Sequence, residues 1–121
     1  MELKDLVKEV LPKILFPDDF ELIEVKVTNT WLVLNFKTYS DVLPINQKTL
    51  NTYEFINYCH SYARDRGYKI ITELRSYGVE WAIITSDESI FDNAEIIDNY
   101  WNNNIIDAVI DATTRIIKGF D

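Results

Sequence analysis

The stretch from Tyr68 to Ile83 has the sequence YKIITELRSYGVEWAI, in which apolar and polar residues alternate on both sides of Ser76-Tyr77-Gly78. Alternation with a period of two is typical of a strand that buries one face. A short connection that contains glycine is typical of a hairpin, because glycine adopts the left-handed conformation such connections need. The stretch therefore predicts two antiparallel strands joined by a three-residue turn.

A similar pattern lies nearer the amino terminus. Apolar residues alternate with polar ones from Ile23 to Val27 and again from Leu32 to Phe36, with Thr28-Asn29-Thr30 between the two runs. Asparagine tolerates the backbone conformation of a tight turn. These residues predict a first hairpin.

Apolar residues at spacings of three and four predict helices around the two hairpins. A first helix contains the stripe Leu3–Ile14 and should end near Leu15. After a connection at Tyr39–Gln47, a second stripe occupies Leu50–Ala63, and this helix should stop at Gly67, where a left-handed C-cap costs no steric strain.

The last helix has two possible starting points. Ile97, Trp101 and Ile105 are spaced by four and favour a start near Ala94, with Trp101 in the core. Three consecutive asparagines weaken this interpretation, because asparagine favours caps and turns. The secure part of the helix then runs from about Asn104 to Lys118.

The predicted elements form one domain, residues 1–121, of the α+β class. A chain of 121 residues is long enough for a single core and too short for two ordinary domains. The predicted order is α-β-β-α-β-β-α. Its natural packing is one antiparallel four-stranded sheet, made of the two hairpins and covered by three helices.

The net charge of −8 is concentrated in one third of the chain. Between Ser76 and Thr114 there is no lysine or arginine but there are eight acids, so the other 12 acids balance all 12 bases. Such a surface repels nucleic acid and attracts basic proteins. The alternative is a solvated acidic face without a partner. The eight acids are Glu80, Asp87, Glu88, Asp92, Glu95, Asp98, Asp107 and Asp111.

Tyrosines are candidates for a contact surface within this acidic third, since aromatic rings give large contact areas at a small entropic cost. We expect exposed rings at Tyr77 and Tyr100 within this third and at Tyr58 and Tyr62 outside it. The predicted partner-binding residues are Asp87, Glu88, Asp92, Glu95, Asp98 and Tyr100.

A second hypothesis places a small phosphorylated ligand, such as a nucleotide signal, among basic and aromatic side chains. These side chains come from three predicted elements, and scattered surface arginines would look the same in the sequence. The candidate ligand-binding residues are Arg64, Arg66, Arg75, Tyr77 and Arg115.

Residues that carry catalysis or bind metals are few. Cys59 and His60 are adjacent, and neighbouring side chains on a helix point about 100° apart, so adjacency does not align a nucleophile with a base. Asp107 and Asp111 share one helix face and could hold magnesium, but no third ligand stands at a diagnostic spacing. We expect no catalytic residues, no metal and no cofactor.

The location in the cell is predicted from absent signals and a single cysteine. The chain begins with alternating charges rather than an apolar leader, and it contains no stretch long enough to span a membrane. One cysteine, Cys59, cannot form an intrachain disulfide. These features favour a reducing cytoplasm.

Four segments together resemble a small phage domain of unknown function, described as an alpha-beta-alpha sandwich. They are Thr38-Tyr39-Ser40-Asp41, Arg64-Asp65-Arg66-Gly67-Tyr68, the strand around Trp81, and Ala108-Val109-Ile110-Asp111-Ala112. The resemblance covers roughly residues 38–118 and implies a phage or mobile-element accessory protein without catalytic residues. The asparagine-rich approach to the last helix and the amino-terminal elements depart from it.

The leading hypothesis is a non-enzymatic protein whose acidic third covers a basic surface on a protein partner. An inhibitor of a host-defence or nucleic-acid-handling protein, or an immunity protein for a toxin, would act in this way. The alternatives are a protein that sequesters a nucleotide signal through its arginines and, last, a magnesium enzyme that uses Asp107 and Asp111.

Overall fold

The computed structural model describes residues 1–16, 20–38, 45–86 and 95–120. The chain divides into two compact units, Met1–Phe55 and Ile56–Asp121. Each is described in turn, and a single domain stays a prediction. In chain order the elements are helix α1 (Leu3–Val10), strands β1 (Phe20–Val27), β2 (Trp31–Thr38) and β3 (Ile45–Asn51), helix α2 (Thr52–Asp65), strands β4 (Tyr68–Arg75), β5 (Gly78–Thr85) and β6 (Asp98–Asn102), and helix α3 (Ile105–Lys118).

The strands form two three-stranded antiparallel sheets, β1-β2-β3 and β4-β5-β6. The α+β class is confirmed, whereas the prediction of one four-stranded sheet was wrong. The order of the main elements is α-β-β-β-α-β-β-β-α. None of the described helices is both long enough and apolar enough to cross a bilayer.

The two strands missed in the sequence, β3 and β6, both lie at sheet edges. β3 has the sequence INQKTLN and β6 the sequence DNYWN, so neither shows the apolar alternation of the inner strands. An edge strand needs only one neighbour and tolerates polar residues. The segment Ile45–Asn51 was therefore mistaken for the end of a connection and the first turn of a helix.

In the first unit, α1 is shorter than its apolar stripe predicts. It ends at Val10, and Leu11 takes an extended conformation because it precedes Pro12. α1 buries Leu6, Val7 and Val10, while Ile14, the last predicted member of the stripe, is 89% exposed. The predicted hairpin forms as β1 and β2.

Helix α2 begins at Thr52 rather than at Leu50. Asn51 acts as its N-cap, since its side-chain oxygen accepts a hydrogen bond from the Tyr53 N–H at 2.8 Å. The backbone N–H of Thr52 donates to the Thr30 carbonyl at 2.9 Å, and its hydroxyl donates to the Thr28 carbonyl at 3.2 Å. These bonds fix the start of the helix against the turn between β1 and β2.

In the second unit, β4 and β5 pair over their whole length, so the hairpin predicted from Tyr68–Ile83 is confirmed. Its turn has two residues, Ser76 and Tyr77, because Gly78 already pairs with Arg75. Helix α3 contacts all three strands of this sheet and buries Ala108, Val109, Ala112, Thr113 and Ile116.

The secure part of the last helix was predicted correctly. Asn104 is the N-cap of α3, and its side-chain oxygen accepts a hydrogen bond from the Asp107 N–H at 2.9 Å. Gly119 ends the helix with a φ of +87°. The alternative start near Ala94 was wrong, because Asp98–Asn102 is strand β6.

Candidate partner-binding surface

Strand β6 lies at the edge of the second sheet and places its side chains beside those of β5. Trp101 lies opposite Glu80, and Tyr100 lies opposite Trp81. Within the described ranges no other strand pairs with the outer edge of β6. The strand therefore presents backbone groups on one side and large side chains above and below the sheet.

Two tyrosine rings lie against the ring of Trp101 at this edge. The rings of Tyr77 and Trp101 meet edge to face at 5.3 Å, and those of Tyr100 and Trp101 lie nearly parallel at 6.3 Å. Tyr77 is 51% exposed, Tyr100 56% and Trp101 43%. We name Tyr77, Tyr100 and Trp101 the β6 aromatic cluster.

Carboxylates surround this cluster on the hairpin side. The Arg75 guanidinium contacts Glu73 at 3.0 Å and Glu80 at 3.2 Å. The Tyr77 hydroxyl donates a hydrogen bond to Glu80 at 2.9 Å. This bond is the main reason that the pKa of Tyr77 is raised above its ordinary value. Two carboxylates therefore share one guanidinium and leave one negative charge beside the rings.

Further acids lie at the beginning of β6. Asp98 forms an ion pair with Arg115 at 3.9 Å, and Glu95 is exposed just before the strand. Among the described residues of this surface, four carboxylates, those of Glu73, Glu80, Glu95 and Asp98, stand against two guanidinium groups. The surface is thus acidic overall even after its internal ion pairs are counted.

Three of the residues proposed from the sequence as partner-binding, Asp87, Glu88 and Asp92, lie outside the described residues. Asp98 and Tyr100 belong to the edge strand β6, and Glu95 lies just before it. The placement of Trp101 in a helical core was wrong.

Sequence reasoning also missed two other contributions to this surface. Glu73 precedes the acidic third, and Tyr77, whose predicted exposure is confirmed, was assigned to the arginine site instead. The prediction that Tyr62 is exposed was wrong, because Tyr62 is buried and the Arg66 guanidinium lies 4.1 Å from the centre of its ring. Tyr58 is half-buried.

The structure does not bring together all the arginines of the ligand hypothesis. Arg64 and Arg66 lie near the start of β4, whereas Arg75 lies at its other end, about 23 Å away at the usual rise of a strand. Arg75 is occupied by Glu73 and Glu80. Arg115 contacts Asp98.

The two carboxylates considered for magnesium bind different neighbours. Asp107 accepts a hydrogen bond from the Asn104 side-chain amide at 3.0 Å, and Asp111 accepts one from the Trp81 indole N–H at 3.3 Å. In the parts of the chain that the structure describes, no three His, Cys, Asp or Glu side chains gather as metal ligands.

Cys59 is fully buried in α2, whereas His60 is half-buried. Burial raises the pKa of the Cys59 thiol to about 12, and a hydrogen bond with Thr113 offsets part of that rise. The pKa of His60 is lowered, first by burial and then by the positive charge of Arg64. At neutral pH Cys59 is a protonated thiol, which is a poor nucleophile.

We expect iodoacetamide to alkylate Cys59 slowly in the native protein and rapidly in urea, because the thiolate is the reacting form. Mass spectrometry of the single cysteine measures both rates. Equal rates in the two states would contradict the buried, protonated thiol.

The same thiol should make stability depend on alkaline pH. Its pKa is higher in the folded protein than in the unfolded chain, so its contribution is fully present below the unfolded pKa. The free energy of unfolding should therefore fall between about pH 9 and pH 12, by at most about 1.4 kcal/mol per pH unit. The C59A variant should lack this component of the decline, which paired denaturant titrations at several pH values would show.

No family model, curated protein or solved structure matches the chain. The resemblance to a phage domain stays a prediction.

Proposed function

We propose that the protein binds a basic segment of a protein partner through the β6 aromatic cluster and the carboxylates around it. The observation that supports this most directly is the contact of the half-exposed Trp101 ring, on an edge strand, with the half-exposed rings of Tyr77 and Tyr100. Clustered aromatic rings that stay exposed to water on a monomer often mark an interaction site. Aromatic residues are also enriched where proteins bind one another.

The chemistry of the surface favours lysine and arginine on the partner. A cation over an aromatic face gains electrostatic attraction, and arginine also stacks on the ring. Glu80 lies opposite Trp101 and can meet the same cation from the side, and the net negative charge, to which Glu95 contributes, attracts the cation before contact. A neutral apolar segment would contact the rings but would gain nothing from the carboxylates.

Covering a basic surface would be the mechanism of action. Basic surfaces commonly bind nucleic acid, so a protein bound there competes with that ligand. Inhibition of a host-defence or nucleic-acid-handling protein and neutralisation of a toxin are two settings for this activity. A role as a phage or mobile-element accessory protein is part of the same proposal.

The test uses an arginine- and tyrosine-containing basic peptide of about ten residues as the probe, with its acidic counterpart as the negative probe. We expect the basic peptide to bind more weakly as salt is added, because exposed charges are screened. The double variant E95K/W101A should bind at least about tenfold more weakly, since it reverses one charge and removes the central ring. Fluorescence anisotropy of the labelled peptide measures both effects.

E54K is the matched control, because Glu54 is an exposed acid on α2 that belongs to the first unit and is not one of the residues of this surface. It makes the same change in net charge as Glu95→Lys and should bind like the wild type after the small effect of net charge. Equal affinity of the wild type and E95K/W101A would refute the proposed surface. The single variant E95K is measured beside E54K. If both weaken peptide binding equally, the contribution of Glu95 is explained by net charge alone.

A further inference from the structure

A small cavity lies in the second unit, between the last turns of α2 and the first residues of β4. Its volume is about 110 Å³. His60 and Arg64 line it from the helix, and Tyr68, Lys69, Ile70 and Ile71 line it from the strand. It lies at the opposite end of β4 from Arg75, and none of its lining residues belongs to the β6 aromatic cluster.

The six residues that line the cavity include two cations and no acid, although acids outnumber bases 20 to 12 in the whole chain. Arg64 forms no ion pair with any carboxylate in the described parts of the chain. Its guanidinium therefore keeps its donors for an external anion.

The positions of Arg64 and His60 suit a shared ligand. They are four residues apart on α2, so their side chains lie on one helix face. Burial and the nearby Arg64 lower the pKa of His60, and a neutral imidazole can still donate one N–H.

The end of α2 does not oppose an anion as strongly as a bare helix terminus would. A helix C-terminus carries partial negative charge on its unpaired carbonyls. Here the carbonyls of Ala63 and Arg64 already accept hydrogen bonds from the N–H groups of Arg66 and Gly67.

We propose that this cavity binds the phosphate group of a small anion. The guanidinium of Arg64 would hold two of its oxygens, with the His60 imidazole and the Lys69 ammonium as further donors from the same wall and the facing strand. A tetrahedral group with several acceptor oxygens matches donors from two elements better than a planar carboxylate does. The cavity is much smaller than the 300–1,000 Å³ typical of sites that enclose drug-sized ligands, so it fits a phosphate group and not a whole nucleotide.

Inorganic phosphate is the probe, and His60 is the reporter, because it is the only histidine in the chain. Its imidazole proton resonances are therefore unambiguous in an NMR spectrum of the full-length protein. At constant ionic strength and neutral pH, phosphate should shift them along a saturating curve with a Kd of about 1 mM. Acetate, which tests whether a carboxylate binds the cavity equally well, should bind at least about tenfold more weakly than phosphate.

R64Q should weaken phosphate binding at least about tenfold, and because Arg64 is exposed the variant should keep its fold. R66Q is the matched control, since Arg66 contacts Tyr62 and does not line the cavity. Its phosphate curve should match the wild type. The proposal is overturned by a His60 shift that does not saturate, by equal binding of acetate, or by equal affinities of wild type and R64Q.

Discussion

Replacing Trp81 by alanine is expected to lower the free energy of unfolding by about 3–5 kcal/mol. Trp81 is fully buried and is the largest of the fully buried side chains among the described residues. Its indole N–H donates to the Asn102 side-chain oxygen at 3.0 Å and to Asp111 at 3.3 Å. One side chain therefore joins β5 to the end of β6 and to α3, and its removal leaves a cavity where the three elements meet.

A second substitution at this position separates packing from hydrogen bonding. W81F keeps a large ring but removes the indole N–H, so it should cost about 1–3 kcal/mol, less than W81A. Urea unfolding followed by far-ultraviolet circular dichroism measures both, because tryptophan fluorescence changes with the substitution itself. W31A is the control, since Trp31 is half-exposed on β2. A loss in W81A no larger than in W31A would contradict the central role of Trp81.

The sequence predicts well those helices and strands whose apolar spacing extends over many residues or whose ends carry a recognisable cap. The strands of both hairpins alternate over many positions, and Gly67 and Gly119 end their helices with positive φ angles. Asn104 is recognisable as a cap because an apolar period begins directly after it. In each case a local preference of the backbone agrees with the burial of one face.

The spacing of Ile97, Trp101 and Ile105 shows where this reasoning fails. The side chains of all three are at least a third exposed, so their spacing of four residues does not mark the buried face of a helix. Five residues of β6 offer too few positions to display alternation. The strand is fixed instead by its pairing with β5, which depends on residues some twenty positions earlier in the chain.

The candidate surface could be predicted only in part for a related reason. The exposure of Tyr100 and the acidity of the region follow from composition and position. The contact between Tyr77 and Trp101 requires the hairpin turn and β6 to meet, which no local pattern encodes. The sharing of Arg75 by Glu73 and Glu80 likewise follows from strand register.

Replacing Gly78 by alanine is expected to destabilise the protein by about 2–4 kcal/mol, through two effects that act together. Gly78 has a φ of +145°, which L-residues rarely adopt. A Cβ atom at this position would also overlap the Asn102 carbonyl oxygen and lie 3.4 Å from the Trp101 ring. Because the obstacle is backbone, β6 itself must move.

The control for this substitution is G67A. Gly67 has a φ of +88°, but an added Cβ meets no atom within 4 Å, so the variant carries backbone strain without a clash. It should cost about 1–2 kcal/mol. The difference between the two unfolding free energies in urea measures the cost of displacing β6. If both variants lose the same unfolding free energy, β6 can move away from the added Cβ without destabilising the protein, and its close approach to Gly78 does not contribute to stability.

The G78A variant also tests the proposed function independently of charge. It alters no acidic or aromatic side chain, yet it should shift Trp101 relative to Tyr77 and so separate the rings of the β6 aromatic cluster. At a temperature where circular dichroism shows the variant folded, the basic peptide should bind it at least about tenfold more weakly, whereas G67A should bind like the wild type. Unchanged peptide affinity in folded G78A would mean that the position of β6 is irrelevant to binding. The attraction would then belong to the net charge of the protein rather than to this surface.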